Sequence, residues 1–241
     1  MVFEEYYELA MKVFSENGLV SLINEDKAKK LFELSNLLIE TNKTTNLTAI
    51  TDEKEVLLKH FVDSAAIAEF IDDGKSVVDV GCGAGFPSLP IAILRGDLTV
   101  TALDSTGKKI NFVKHAAEKL DLKNIKAVCA RAEDFAVDNR ESFDVAVSRA
   151  VARLNVLVEI TLPLVKTGGC LIAMKSNKGK EEFEEAEQGI FTLGGSLERV
   201  KEETLSFNDA SITRETYIFK KVRKTPAQYP RKYAQILKKP L

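Results

Sequence analysis

The chain has 241 residues, 45% of them hydrophobic and 29% charged, and a formal net charge of −2. That length fits one large domain or one domain with an extension, and the near-balanced charge gives no global field to draw in nucleic acid. No apolar run approaches membrane-spanning length, and the acidic start, Met-Val-Phe-Glu-Glu-Tyr-Tyr-Glu, is unlike a secretion signal. Cys82, Cys129 and Cys170 are odd in number and scattered in strand-like runs, which argues against a disulfide framework or a zinc site. They read as small core residues in a reducing, cytoplasmic setting. Charge is unevenly spread: residues 1–74 carry fifteen acids against seven Lys and Arg, whereas Thr216 to Leu241 carry eight Lys and Arg and no acid.

In chain order, residues 3–16 have helical period, with Phe3, Tyr7, Met11 and Phe14 on one face, and Gly18 ends the helix. A second helix spans 26–41 with a stripe of Leu31, Leu34 and Leu38. A polar loop, 41–50, follows. Asp52 then caps a third helix, with Glu55 three residues on as in a capping box. It runs to about Ile71 and carries Leu57, Leu58, His60, Phe61, Asp63, Ser64, Ala65 and Ile67. These helices cannot bury their faces alone, so residues 1–72 are expected to cap a sheet domain, 73–241, as one structural unit.

From residue 76 strands and helices alternate. Strands are expected at Ser76–Val80, Leu98–Leu103, Ile125–Cys129, Phe143–Ser148 and Cys170–Met174. Helices are expected at Pro87–Arg95, Thr106–Leu120 and Leu154–Val165, with a short segment around Ala132-Glu133-Asp134. Repeated strand–helix units imply a parallel, doubly wound α/β sheet. After a charged helix, Lys180–Gln188, the runs 196–206 and 213–222 read as an antiparallel hairpin at the sheet edge. Five parallel strands and a hairpin make the Rossmann-like, seven-stranded layout of class I methyltransferases.

The stretch Asp79-Val-Gly-Cys-Gly-Ala-Gly-Phe86 joins the first of these strands to its helix. Gly81, Gly83 and Gly85 let the backbone turn sharply and approach a ligand. Their spacing departs from the dinucleotide pattern, and Asp79 would repel a pyrophosphate yet suit a cationic ligand. The expected cofactor is S-adenosylmethionine rather than a nicotinamide dinucleotide. Asp104 ends the second strand and reads either as the acceptor for ribose hydroxyls or as a cap for the helix after it. Lys108 and Lys109 fall on that helix's surface, where one could reach the ligand. Glu133 reads either as a contact to the adenine edge or as a helix cap.

Arg149, in Ser148-Arg-Ala150 after the fourth strand, is either a site residue or half of an ion pair with a helix acid. The chain has neither a Pro-Cys nucleophile nor an exocyclic-amine clamp there. Guanine N7, which has a lone pair and no proton, fits a site that supplies only position and charge. His60 and Asp63, three apart on a helix, make a weak metal pair and suit packing better. Asn46 and Thr48 either contact a ligand or cap a turn. The tail interleaves Lys220, Lys221, Arg223, Lys224, Arg231, Lys232, Lys238 and Lys239 with Tyr229 and Tyr233, which suits a nucleic acid better than a merely solvated end, without choosing RNA over DNA. Removing the chain from Thr225 onward is then expected to weaken RNA binding and spare the cofactor.

Asn46-Leu-Thr-Ala-Ile, His60-Phe-Val-Asp63-Ser, the glycine turn, Asp104-Ser, Ala132-Glu133, Ser148-Arg149-Ala150 and Tyr229-Pro-Arg-Lys with its Pro-Leu ending resemble the bacterial small-subunit ribosomal RNA guanine-N7 methyltransferases, also called glucose-inhibited division protein B. The resemblance implies methylation of guanine N7 in the decoding-region loop of 16S rRNA. It implies cofactor contacts at Gly81, Phe86, Asp104, Ala132, Glu133 and Arg149; Gly83 and Gly85 of the same turn are expected to join them, and Arg149 is expected to be catalytic. RNA contacts are expected at Asn46, Lys175, Tyr229, Arg231 and Lys232. The partner would be 16S rRNA or a 30S particle, with no metal and no membrane, and the protein a monomer. Two departures from the family pattern, Ser176 after Lys175 and the run Tyr233-Ala-Gln-Ile, lie on the expected RNA side. A small-molecule methyltransferase and a non-catalytic, cofactor-dependent RNA-binding module are the competing readings.

Overall fold

Helical spacing of apolar residues builds the first third of the chain. The computed structural model describes residues 1–176 and 178–241. Helix α1 (Phe3–Glu16) buries Tyr6, Ala10, Val13 and Phe14. Phe3, Tyr7 and Met11 are only half-buried, so the inward stripe is turned by about one residue from the expected face. The reason is a second neighbour. Besides α2 (Glu25–Thr45), α1 meets the far end of the C-terminal hairpin, where the Asn17 side chain donates to Ser206 O at 2.9 Å and accepts from Ser206 N at 2.9 Å.

Asn24 caps α2 by accepting from Lys27 N at 3.0 Å. The helix continues through Thr45 to a left-handed Asn46, φ 41°, overrunning the polar loop expected from residue 41. Asn42 explains the overrun: its Oδ1 accepts from Leu47 N (2.6 Å) and Thr48 N (3.0 Å), so the polar run closes the helix instead of leaving it. Asp52 caps α3 (Glu53–Val56) as expected, accepting from Lys54 N and Glu55 N at 3.0 Å. The Glu55 side chain goes to Lys59 rather than back to the cap. Leu57–Val62 then forms a π-helical turn before α4 (Asp63–Ala65).

The remaining elements alternate as β1 (Ser76–Val80), α5 (Ser88–Leu94), β2 (Thr99–Asp104), α6 (Gly107–Lys119), β3 (Ile125–Cys129), α7 (Ala132–Asp138), β4 (Phe143–Arg149), α8 (Leu154–Thr161), β5 (Val165–Lys175), α9 (Gly179–Thr192), β6 (Gly195–Phe207), β7 (Ala210–Lys221) and α10 (Tyr233–Lys238). They form a seven-stranded sheet in the order β3-β2-β1-β4-β5-β7-β6. The first five strands pair in parallel, and β7 joins β5 and β6 antiparallel. Alternate strand residues face opposite sides. Val77, Val100, Val145 and Ile172 join the N-terminal helices, α5 and α6 in one core, while Val78, Ala146, Leu171 and Phe219 join α8 and α9 in the other.

Strand order reverses between β1 and β4. In an open parallel sheet that reversal leaves a crevice beyond the strands' carboxyl ends. No helix among the described residues is long and apolar enough to cross a membrane.

Candidate active site

The turn after β1 is left-handed at all three glycines: φ is +76° at Gly81, +58° at Gly83 and +89° at Gly85. Side-chain-bearing residues rarely adopt such values. Gly81 N and Cys82 N donate to Leu103 O at 2.8 and 3.0 Å, which ties the turn to the end of β2. A Cβ on Gly81 would lie 2.3 Å from Val151 Cγ2, and one on Gly85 2.4 Å from Leu89 Cδ1. Those two glycines therefore admit neighbouring side chains. Gly83 differs, since a Cβ there would have only Lys109 Nζ, at 4.0 Å, within reach.

Gly83 N donates to Asp104 Oδ2 at 3.0 Å, and Thr106 N donates to Asp104 Oδ1 at 2.7 Å. The carboxylate thus orders both the glycine turn and the entry to α6. A carboxylate offers about four lone-pair sites, so two backbone bonds leave acceptor capacity for a further ligand.

Beside Asp104 lies a cavity of about 280 Å³ at the strand ends. Of the expected contacts, Gly81, Asp104, Ala132 and Glu133 line it together; Gly83, Gly85, Phe86 and Arg149 stand outside the lining. Lys109 also lines it, as do Val151, Ile160 and Tyr233, which sequence reading missed as site residues. The donor set suits an adenosine-bearing ligand: spare acceptors on Asp104 for a diol, Glu133 for an amine edge, and apolar Ala132, Val151 and Ile160 for a flat ring.

Asp79 is fully buried, and its Oδ2 accepts from Ser88 N at 3.0 Å at the start of α5. It holds the start of a helix and is not among the residues lining the cavity, so this carboxylate is not the group that would meet a cationic cofactor there. Burial pushes its carboxyl up to about 7.

Arg149 and Phe86 belong to a second cluster on the N-terminal helices. Ser148 Oγ donates to Val80 O at 2.9 Å, fixing the end of β4 to β1, and Ala150 is left-handed at φ +56°. Beyond that bend Val151 fills the space over Gly81, while Arg149 turns toward α4. Arg149 Nη1 donates to Asp63 Oδ2 at 2.7 Å and to Lys59 O at 3.0 Å, and Nη2 donates to His60 Nδ1 at 3.2 Å. Lys59 and His60 sit on the π turn, a distortion that re-aims groups off the regular ladder. The ion pair with a helix acid is therefore the geometry adopted.

Fully buried Asp63 also accepts from Arg214 Nε at 2.8 Å, reached across the hairpin and without any local sequence signal. The Phe86 and His60 rings stack at 4.4 Å, and the Arg149 guanidinium lies 5.6 Å from the Phe86 centroid. Burial, then Arg149, pushes His60 down to about 4. Among the described residues no group of three or more His, Cys, Asp or Glu is placed to hold a metal ion.

The expected RNA contacts are scattered. Asn46 is exposed at the end of α2. Lys175 is nearly covered, with Nζ 2.7 Å from both Glu182 Oε2 and Ala152 O. Arg231 spends its charge on buried Glu159, and half-buried Tyr229 lies beneath the Arg231 guanidinium at 5.8 Å. Lys232 is exposed. Lys221, counted with the basic tail, is buried and donates to Leu162 O and Val165 O at 2.7 and 2.9 Å. Lysines and arginines in sequence thus overstate the cationic surface, because Lys175, Lys221 and Arg231 are drawn inward onto Glu182, the Leu162 and Val165 carbonyls and Glu159. Cys129 is exposed and Cys170 half-buried, so only Cys82 is the core cysteine expected of all three.

Comparison with known proteins accords with this geometry. The chain is 50% identical over 222 residues to the Ribosomal RNA small subunit methyltransferase G of Staphylococcus carnosus, covering 90% of this chain and 92% of that one. It is 43% identical over 241 residues to the protein of that name from Clostridium perfringens, covering 98% and 99%. Two solved structures share the fold at low identity. M. jannaschii TYW2 in complex with AdoMet has a TM-score of 0.52 at 15% identity, covering 66% of this chain and 75% of that one. NSun6 from Pyrococcus horikoshii has a TM-score of 0.55 at 15% identity, covering 67% and 51%. The family model GidB, rRNA small subunit methyltransferase G, matches residues 27–209, and the chain belongs to that family.

Proposed function

We propose that the protein transfers the methyl group of S-adenosylmethionine to N7 of a guanine in the decoding-region loop of 16S rRNA. The observation that carries the reading is the cavity at the strand-order reversal, walled by Gly81, Asp104, Ala132 and Glu133, in a chain of this family. When bound, S-adenosylmethionine supplies a methyl group on a positively charged sulfur. Asp104 would hold the ribose hydroxyls, oriented by its bonds from Gly83 N and Thr106 N. Ala132 and Glu133 would meet the adenine edge.

Guanine N7 attacks with its own lone pair and has no proton to lose, so no side chain need act as base. His60 supports this. Its Nδ1 lone pair is taken by Arg149, and its Nε2 faces Thr48 Oγ1 at 3.0 Å. Position and fixed charge then supply the acceleration. The partner we propose is 16S rRNA, free or in a 30S particle, met in the cytoplasm by a monomer.

The test incubates the protein with methyl-labelled S-adenosylmethionine and unmethylated 16S rRNA or 30S subunits, then cleaves chemically at 7-methylguanosine. Label at one guanine of the decoding region is the expected result. Label in a metabolite but not in RNA would establish the small-molecule reading, and cofactor binding with no methyl transferred would establish the binding module.

A further inference from the structure

The last seventeen residues do not trail from the sheet edge as a basic arm. Thr225 is fastened at both ends of its polar reach: its N donates to Glu141 Oε1 at 3.0 Å and its Oγ1 to Leu193 O at 2.7 Å. Arg140 then clasps the backbone, donating to Thr225 O and Tyr229 O at 2.6 Å and to Pro226 O at 2.9 Å. Next, Arg231 donates from its N and Nε to Glu159 Oε1 at 2.9 and 2.8 Å and from Nη2 to Oε2. Glu159 is fully buried on α8, so without Arg231 it would keep an uncompensated charge in the interior. Past that clasp, Ile236 is fully buried in the second core, and Leu241 lies against Gly189, where a Cβ would come within 2.9 Å of it.

Between the Glu159 clasp and Ile236 stands Tyr233. It lines the cavity together with Asp104 and Glu133, as do Ala130, Ala132 and Ile160 of α8. The Arg131 guanidinium lies 5.3 Å from its ring centroid, which fixes the ring from the strand side. Among the lining residues, the Asp104 carboxylate suits a diol, while Tyr233 and Glu133 suit a flat, nitrogen-rich ring with an exposed amine.

We infer that this C-terminal strap is a wall of the cofactor site, and that Tyr233 closes the cavity on the adenine of S-adenosylmethionine and of its product S-adenosylhomocysteine. The strap is then a specificity element for the adenosine half of the cofactor. The inference rests on the cofactor and not on the RNA substrate. It reverses the expectation that the chain beyond Thr225 can be removed without touching cofactor binding.

The test is calorimetric binding, without RNA, of S-adenosylhomocysteine and of 5′-methylthioadenosine, which share the adenosine and differ in the amino-acid end. With the ring removed, Tyr233→Ala should weaken both ligands by a similar factor, roughly tenfold. Tyr233→Phe, which keeps the ring, should stay within about twofold of the parent. A parallel readout on the unmodified protein is tryptic cleavage at Lys224, Arg231 and Lys232, which saturating S-adenosylhomocysteine should slow. If Tyr233→Ala is folded by circular dichroism and binds both ligands as the parent does, the inference is overturned. If that variant does not fold, unchanged cleavage of the parent in the presence of ligand overturns it instead. Failure of RNA methylation would bear on neither readout.

Discussion

His60 has a proton whose position can be assigned. A guanidinium only donates, so His60 Nδ1 must accept from Arg149 Nη2, and the ring's hydrogen sits on Nε2, directed at Thr48 Oγ1. The ring is thereby neutral, and burial together with Arg149 depresses its pKa to about 4 from the ordinary 6.5. A folded value below the unfolded one means that protonation favours the unfolded chain. The stability this ring contributes is therefore complete above about pH 6.5 and is lost as pH falls toward 4, by on the order of 3 kcal/mol at full protonation. Urea midpoints at pH 7.5 and pH 4.5 should lie further apart in the parent than in His60→Gln. Equal gaps would mean that the imidazole is not held neutral. The helical placement of His60 and Asp63 was legible in the spacing of residues 52–71, but neither the tautomer nor its partner was, because Arg149 arrives from 89 residues away in the chain.

The π turn and the hairpin meet at Asp63, and that junction couples two elements distant in sequence. Asp63 accepts from Arg149 on β4 and Arg214 on β7 while fully buried. Arg149→Ala leaves the carboxylate with one cation, and breaking a buried pair from one side costs about 3–5 kcal/mol. The surviving Arg214 should hold the loss toward the lower figure. The variant is thus expected to lower both melting temperature and turnover. Arg149→Ala with Asp63→Asn should cost less than the sum of the single changes, because the second removes the stranded charge. Additive losses would show that the two residues do not act as a pair.

Element boundaries in this region illustrate what local pattern can and cannot carry. The Asp52 cap was readable because its partners are two and three residues away. The extension of α2 to Thr45 was not, because it depends on Asn42 turning back onto Leu47 and Thr48. Likewise the strand–helix alternation was readable from apolar runs, whereas the inward stripe of α1 was set by the distant hairpin.

At the scale of the molecule, acids of the first third pair with cations of the C-terminal hairpin, and cations of the basic end turn inward onto groups in the middle of the chain. Arg214 serves Asp63, Lys201 of β6 pairs with Glu69, Lys221 lies inside, and Arg231 neutralises Glu159. What remains open to solvent at the strap is Lys232, Lys238 and Lys239. Deleting the strap cannot test their role, since it would unpair Arg140 and Glu159 and remove Tyr233 from the cofactor cavity in the same step. Substituting charge alone can. Lys232→Gln with Lys238→Gln and Lys239→Gln leaves every clasp in place. If these lysines neutralise phosphates, rRNA affinity should weaken and its dependence on log salt should flatten by about 0.7 for each phosphate no longer neutralised. Affinity for S-adenosylhomocysteine should stay unchanged in the same variant. An unchanged salt slope would put the RNA on another face. A parallel fall in S-adenosylhomocysteine affinity would show that the lysines hold the strap rather than meet the RNA.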